Sequence, residues 1–141
     1  MECEFPLINS NKQEIREIFK SVKTIAVLGL SPDSSKDSHR VAEYLQSQGF
    51  KIVPVYPKEE TILGEKVYRS LAEIPFDVDM VNIFRKPDAL GAVADACIAK
   101  GKVKVFWAQK GIVNKEAAKK AKDAGMKVVQ NMCSMVEHRS L

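Results

Sequence analysis

The residues best suited to chemistry follow short apolar runs. Gly29-Leu30-Ser31 comes directly after Thr24-Ile25-Ala26-Val27-Leu28, and residues 29–40 hold four serines together with Lys36 and Arg40. A glycine at a strand end allows close backbone approach, and the helix that follows offers unpaired N–H groups and the positive end of its dipole. That combination suits a phosphate or pyrophosphate. Ser31 and Ser34 depart from the GxGxxG fingerprint and no GK[ST] is present, so hydroxyls would stand in for bare backbone donors. Arg40 falls in the first turn of the helix, where a cation opposes the dipole unless an anion compensates it. It is read as a ligand contact; a tight βα turn with an ordinary surface arginine is the plain alternative.

Later strand ends add candidates. Val55-Tyr56-Pro57-Lys58 places a lysine where NAD-binding domains hold the ribose diol with an acidic residue, which suits a ribose phosphate as in NADP or coenzyme A, although Glu59 and Glu60 follow at once. Phe84-Arg85-Lys86-Pro87 brings Arg85 to the same edge, and Trp107-Ala108-Gln109 brings an amide; Trp107 itself reads as core. Asn131, Cys133 and His138 close the series. Cys133 and His138 invite a nucleophile reading, but a spacing of i, i+5 points them in different directions on a helix. His39 has no metal or triad partner nearby, and no carboxylate pair, HxxxH or G-x-S-x-G elbow is present.

These segments need a scaffold that brings strand ends together. Residues 24–29, 51–55, 80–84, 103–107 and 127–129 read as buried strands, with helical faces at 15–22, 41–50, 87–100 and 115–124 between them. Ser10-Asn11-Lys12-Gln13 reads as a capping box for the first helix. A short edge strand is expected over 64–68 and one helical turn over 70–74. Alternating strands and helices predict one three-layer α/β domain spanning the chain, a doubly wound Rossmann-like fold with a mainly parallel sheet of five or six strands. In such a sheet the ligand crevice lies outside the carboxyl ends of the strands, at the switch point in strand order.

Composition narrows the partners. At 141 residues with 45% hydrophobic content, one domain can bury its own core, and no apolar run reaches the ~20 residues of a membrane span. Acidic residues at the start, Met1-Glu2-Cys3-Glu4, argue against a signal peptide. Cys3, Cys97 and Cys133 are widely spaced and odd in number, so reduced thiols, no zinc and a cytoplasmic location are expected. The net charge of +4 comes from 22 basic and 18 acidic residues that are interspersed, which favours a solvated surface over a nucleic-acid patch.

Taken together, Gly29-Leu30-Ser31, His39-Arg40-Val41, Val55-Tyr56-Pro57-Lys58, the run from Ile62 through Gly64 to Tyr68, Trp107-Ala108-Gln109-Lys110-Gly111 and Asn131-Met132-Cys133 resemble the small bacterial and archaeal CoA-binding proteins. These are free-standing relatives of the CoA-binding domain of the succinyl-CoA ligase alpha subunit. The resemblance covers nearly the whole chain. It implies that Gly29, Ser31 and Arg40 meet the pyrophosphate, that Pro57 and Lys58 lie beside the adenosine 3′-phosphate, that Phe84, Arg85 and Gln109 line the crevice, and that Asn131 and Cys133 lie nearer the pantetheine arm. Ser134 and Val136 depart from the family's usual Met and Arg, and Asp33 and Asp37 add carboxylates near the expected pyrophosphate.

The expectation is a cytosolic module that binds coenzyme A or an acyl-CoA without catalysis of its own, with no nucleic-acid or membrane partner and with a homodimer left open. The rest of a ligase is absent from the sequence, so its reaction does not transfer with the fold. Two rivals are an NADP-dependent oxidoreductase and a CoA-thiol redox protein using Cys133.

Overall fold

The computed structural model describes residues 8–141, so Cys3 and the acidic start lie outside the described residues. The first helix, α1 (Lys12–Ser21), is capped by Asn11, whose side chain accepts from the N–H of Glu14 at 2.8 Å while the Glu14 carboxylate accepts from the N–H of Asn11 at 2.8 Å. The capping box therefore sits one residue later than the Ser10 reading. Ser10 is buried instead, and its hydroxyl donates to the carbonyl of Val128 at 2.7 Å.

A βαβ unit follows: β1 (Thr24–Leu28), α2 (Asp37–Ser47) and β2 (Lys51–Val55). The expected edge strand at 64–68 is in fact a separate antiparallel hairpin, β3 (Thr61–Ile62) and β4 (Glu65–Lys66). Leu63 (φ 55°) and Gly64 (φ 76°) both take positive φ at its tip, as a type I′ turn requires. Tyr68, just after the hairpin, joins the main sheet through a parallel bridge to Val55.

The chain then alternates: β5 (Met80–Ile83), α3 (Leu90–Lys100), β6 (Val105–Ala108), α4 (Lys115–Asp123), β7 (Lys127–Val129) and α5 (Ser134–Arg139). A 3-10 turn at Leu71–Glu73 occupies the expected helical turn, and another at Pro87–Ala89 leads into α3. All five strands of the main sheet are parallel, in the order β2-β1-β5-β6-β7.

Both faces are covered, which explains why the strands are apolar runs and do not alternate. Ala26, Leu28, Val53, Val81, Ile83 and Phe106 pack under α3 and α4. Ile25, Val27, Ile52, Met80, Val105 and Trp107 pack against α1 and α2, with Met135 of α5 on the same side. The order places β1 between β2 and β5, so the chain leaves β1 toward one neighbour and returns on the other side. The switch point is the gap between the ends of β1 and β5.

Candidate functional site

At that gap the two backbones nearly touch. Gly29 donates its N–H to the carbonyl of Val55 at 3.0 Å, and Phe84 donates to Leu28 at 2.9 Å. Gly29 has φ +85°, and a Cβ there would lie 2.5 Å from the Phe84 carbonyl oxygen. The close approach that this glycine permits is thus made by the protein's own β5 end.

The serine-rich loop is held largely by itself. Ser31 donates its N–H to Ser38 Oγ at 3.0 Å, and its own Oγ accepts from the N–H of Asp33 at 3.0 Å. Asp33 in turn accepts from the N–H of Ser35 at 2.9 Å and from its hydroxyl at 2.7 Å. The bonds from Ser35, backbone first, hold the Asp33 carboxyl below its usual 3.8. His39, buried, lies 2.9 Å from the carbonyl of Ser31 through Nδ1, and since a carbonyl only accepts, that nitrogen carries the proton. Arg40 donates through Nη1 to the Ser35 carbonyl at 2.8 Å and through Nη2 to Asp37. The guanidinium remains exposed.

Arg40, Phe84, Gln109 and Cys133 converge on one cleft of about 320 Å³ at the carboxyl ends of β5 and β6. Asp37, Arg40 and Lys110 form an exposed rim, whereas Val41 and Gln109 are buried and Phe84, Ile112 and Met135 are half-buried. Of the other expected residues, Gly29 and Ser31 begin the loop that leads to α2, while Arg85, Pro57 and Lys58 are exposed after β5 and β2, outside the cleft. Arg69, which the sequence did not single out, donates from Nη1 to the carbonyls of Tyr56 at 3.0 Å and Lys58 at 2.7 Å and so fixes that turn. Asn131 (φ 60°) also lies outside the cleft; its Oδ1 accepts from the N–H of Gly111 at 2.7 Å and ties the turn after β7 to the turn after β6.

Behind the cleft is a buried polar network that sequence spacing does not reveal. Gln109 donates from Nε2 to Asn82 Oδ1 and, at 3.3 Å, to Ser134 Oγ; its Oε1 accepts from the N–H of Ser134 at 3.1 Å. Asn82 Nδ2 also donates to Ser134 Oγ, at 3.1 Å. Ser134, one of the departures from the family's usual residues, thereby docks the start of α5 onto β5 and β6. Trp107 is fully buried as expected, and its Nε1 donates to the carbonyl of Met132 at 2.7 Å.

The Cys/His pairing does not form. Cys133 lines the cleft, but His138 packs edge-on against Phe19 and Phe50 and bonds through Nδ1 to the Tyr44 hydroxyl. Among the described residues no group of three His, Cys, Asp or Glu side chains could hold a metal ion, and no helix is long and apolar enough to cross a membrane.

A larger depression of about 640 Å³ lies at the opposite edge of the sheet, beside Asp77, Asp79, Lys102 and Lys104. Four of its charged side chains pair, Lys102 with Asp77 at 3.9 Å and Lys104 with Asp79 at 3.7 Å, and Lys127 adds a further cation. Ligands of open parallel sheets sit at the carboxyl ends, so the smaller cleft is the candidate site.

Compared with known proteins, residues 23–139 match the model of a family described as CoA binding domain. The chain belongs to that family. This CoA-binding domain is 41% identical over 130 residues to YneT of Bacillus subtilis (strain 168), covering 92% of this chain and 96% of YneT. It is 40% identical over 68 residues to the ADP-forming acetate–CoA ligase II subunit alpha of Pyrococcus furiosus, which is 48% of this chain but only 15% of that subunit. Among solved structures, a hypothetical protein from Pyrococcus horikoshii OT3 superposes with a TM-score of 0.90 at 40% identity, covering 100% of this chain and 99% of that one. The CoA-binding domain thus matches small proteins over their full length and the ligase subunit over a small part.

Proposed function

We propose that this CoA-binding domain binds coenzyme A or an acyl-CoA at the carboxyl ends of its strands and acts as a cytoplasmic binding module without a catalytic set of its own. The observation that carries the reading is the convergence of Arg40, Phe84, Gln109 and Cys133 on one cleft beside the switch point. Coenzyme A is larger than that cleft. The pantetheine end would enter it, with the pyrophosphate at the rim near Arg40 and the 3′-phosphate toward Lys58, whose turn already carries the Arg69 guanidinium.

Native mass spectrometry of freshly purified protein, followed by calorimetry with CoA, NADP and NAD, tests this. Co-purified CoA, or selective binding of CoA, is expected. A preference for NADP would favour the oxidoreductase reading instead.

One observation favours a second reading, a CoA-thiol redox protein: Cys133 lies in the same cleft. In such a protein the Cys133 thiolate would attack the disulfide of oxidised CoA, forming a mixed disulfide and releasing one CoA thiolate. Incubation with CoA disulfide that leaves Cys133 unmodified by mass would exclude it.

A further inference from the structure

The cleft divides into a charged rim and an apolar interior, and the interior has little to offer a polar group. Val41 is buried on one side, and Phe84, Ile112, Met135 and the weakly polar thiol of Cys133 are half-buried around it. The buried polar side chain is Gln109, and its hydrogens are taken: Nε2 donates to Asn82 Oδ1 and Ser134 Oγ, while Oε1 accepts from the Ser134 N–H. A carboxylate or hydroxyl at that depth would lose water without gaining a donor from Gln109. The cations stay at the mouth. Arg40 is occupied by Asp37 and the Ser35 carbonyl, and Lys110 is exposed.

We infer that the group this cleft takes is a short, uncharged aliphatic acyl chain in thioester linkage to CoA, in preference to the bare thiol or a dicarboxylic acyl group. The inference rests on the CoA reading above and adds the chemical class of the cargo. Charge at the rim serves the anionic carrier, and the apolar interior serves the chain. A volume of about 320 Å³, shared with the end of the pantetheine arm, also limits the chain to a few carbons.

The test is calorimetry of the full chain with CoA and with its acetyl, butyryl, hexanoyl and succinyl thioesters, for the wild type and for Met135→Asp. Affinity is expected to rise about fourfold per methylene, the worth of one buried methylene, until the cleft is full. Succinyl-CoA, with the four carbons of the butyryl chain but a terminal carboxylate, is expected to bind at least about tenfold more weakly than butyryl-CoA. In Met135→Asp the ratio of butyryl-CoA to CoA affinity should fall to about one, whatever the change in affinity for CoA itself. Equal affinity for CoA and all thioesters, or tighter binding of succinyl-CoA, would overturn this inference and leave the CoA reading standing. Failure of every CoA species to bind would overturn both.

Discussion

The hydroxyl of Tyr44 lies 2.7 Å from Nδ1 of His138, joining α2 to α5, two helices that each line the candidate cleft through other residues. Phe19 and Phe50 meet the same imidazole edge-on, at centroid distances of 5.1 and 5.6 Å. Burial lowers the His138 pKa from its usual 6.5. The folded state therefore takes up this proton less readily than the unfolded chain. Well above pH 6.5 both states are neutral and the full stability is present; as the pH falls through about 6.5, stability is lost until His138 protonates in the folded protein as well. Denaturation midpoints at about pH 7.5 and about pH 5.5 should differ more in the wild type than in His138→Gln. An equal drop in both proteins would assign the dependence elsewhere.

Gly29 is required by the backbone itself. Its φ of +85° and the 2.5 Å separation between a built Cβ and the Phe84 carbonyl mean that Gly29→Ala must both strain the turn and push β5 away from β1. A loss of about 1–3 kcal/mol is expected. Thermal unfolding checks it: a clear fall in Tm is expected, and an unchanged Tm would show that the turn can relax freely.

Asp37 and Arg40 oppose each other as ligand contacts. Asp37 holds the guanidinium and places a carboxylate at the cleft rim. Asp37→Asn frees Arg40 and removes that repulsion, so CoA should bind about two- to tenfold more tightly, with the gain shrinking at high salt. Weaker binding would mean that the pair, as paired, is part of the site. The same change removes an acidic group from the first turn of α2, with an expected stability cost of about 0.3–1 kcal/mol.

The thiols should differ in reactivity. Cys97 is fully buried on α3, and burial pushes its pKa up to about 12. Cys133 is half-buried and lines the cleft. Iodoacetamide under native conditions, read by peptide mass mapping, should modify Cys133 and spare Cys97, and CoA should protect Cys133. Modification of Cys97 before Cys133 would contradict the packing described.

The sheet was legible in the sequence because its strands are buried on both faces and several begin after glycines that stop the preceding helices. Residues 51–55 and 127–129 follow Gly49 and Gly125, and both strands form over those residues. The hairpin was not legible, because Leu63 at φ 55° is a residue type that rarely marks such a turn. For the cleft, the rule that ligands meet strand ends pointed to Arg40, Phe84, Gln109 and Cys133. Asn82, Ser134 and Arg69 escaped because their roles are contacts between distant segments, such as the bond from Asn82 to Ser134, 52 residues apart. Spacing along a chain does not encode such pairs. The loop serines were visible as hydrogen-bonding groups, but only the structure shows Ser31 and Ser35 engaged with Asp33.

The central claim is that the strand-end cleft binds coenzyme A through its charged rim. The most direct test is calorimetric titration of CoA into the wild type, Arg40→Ala and Lys58→Ala, with unfolding curves to confirm that each variant is folded. Binding at micromolar concentration or tighter is expected, weakened about ten- to a hundredfold by Arg40→Ala, the worth of a charge-assisted hydrogen bond. A smaller, more salt-sensitive loss is expected for Lys58→Ala. Unchanged affinity in both folded variants, or no binding of CoA by the wild type, would contradict the site.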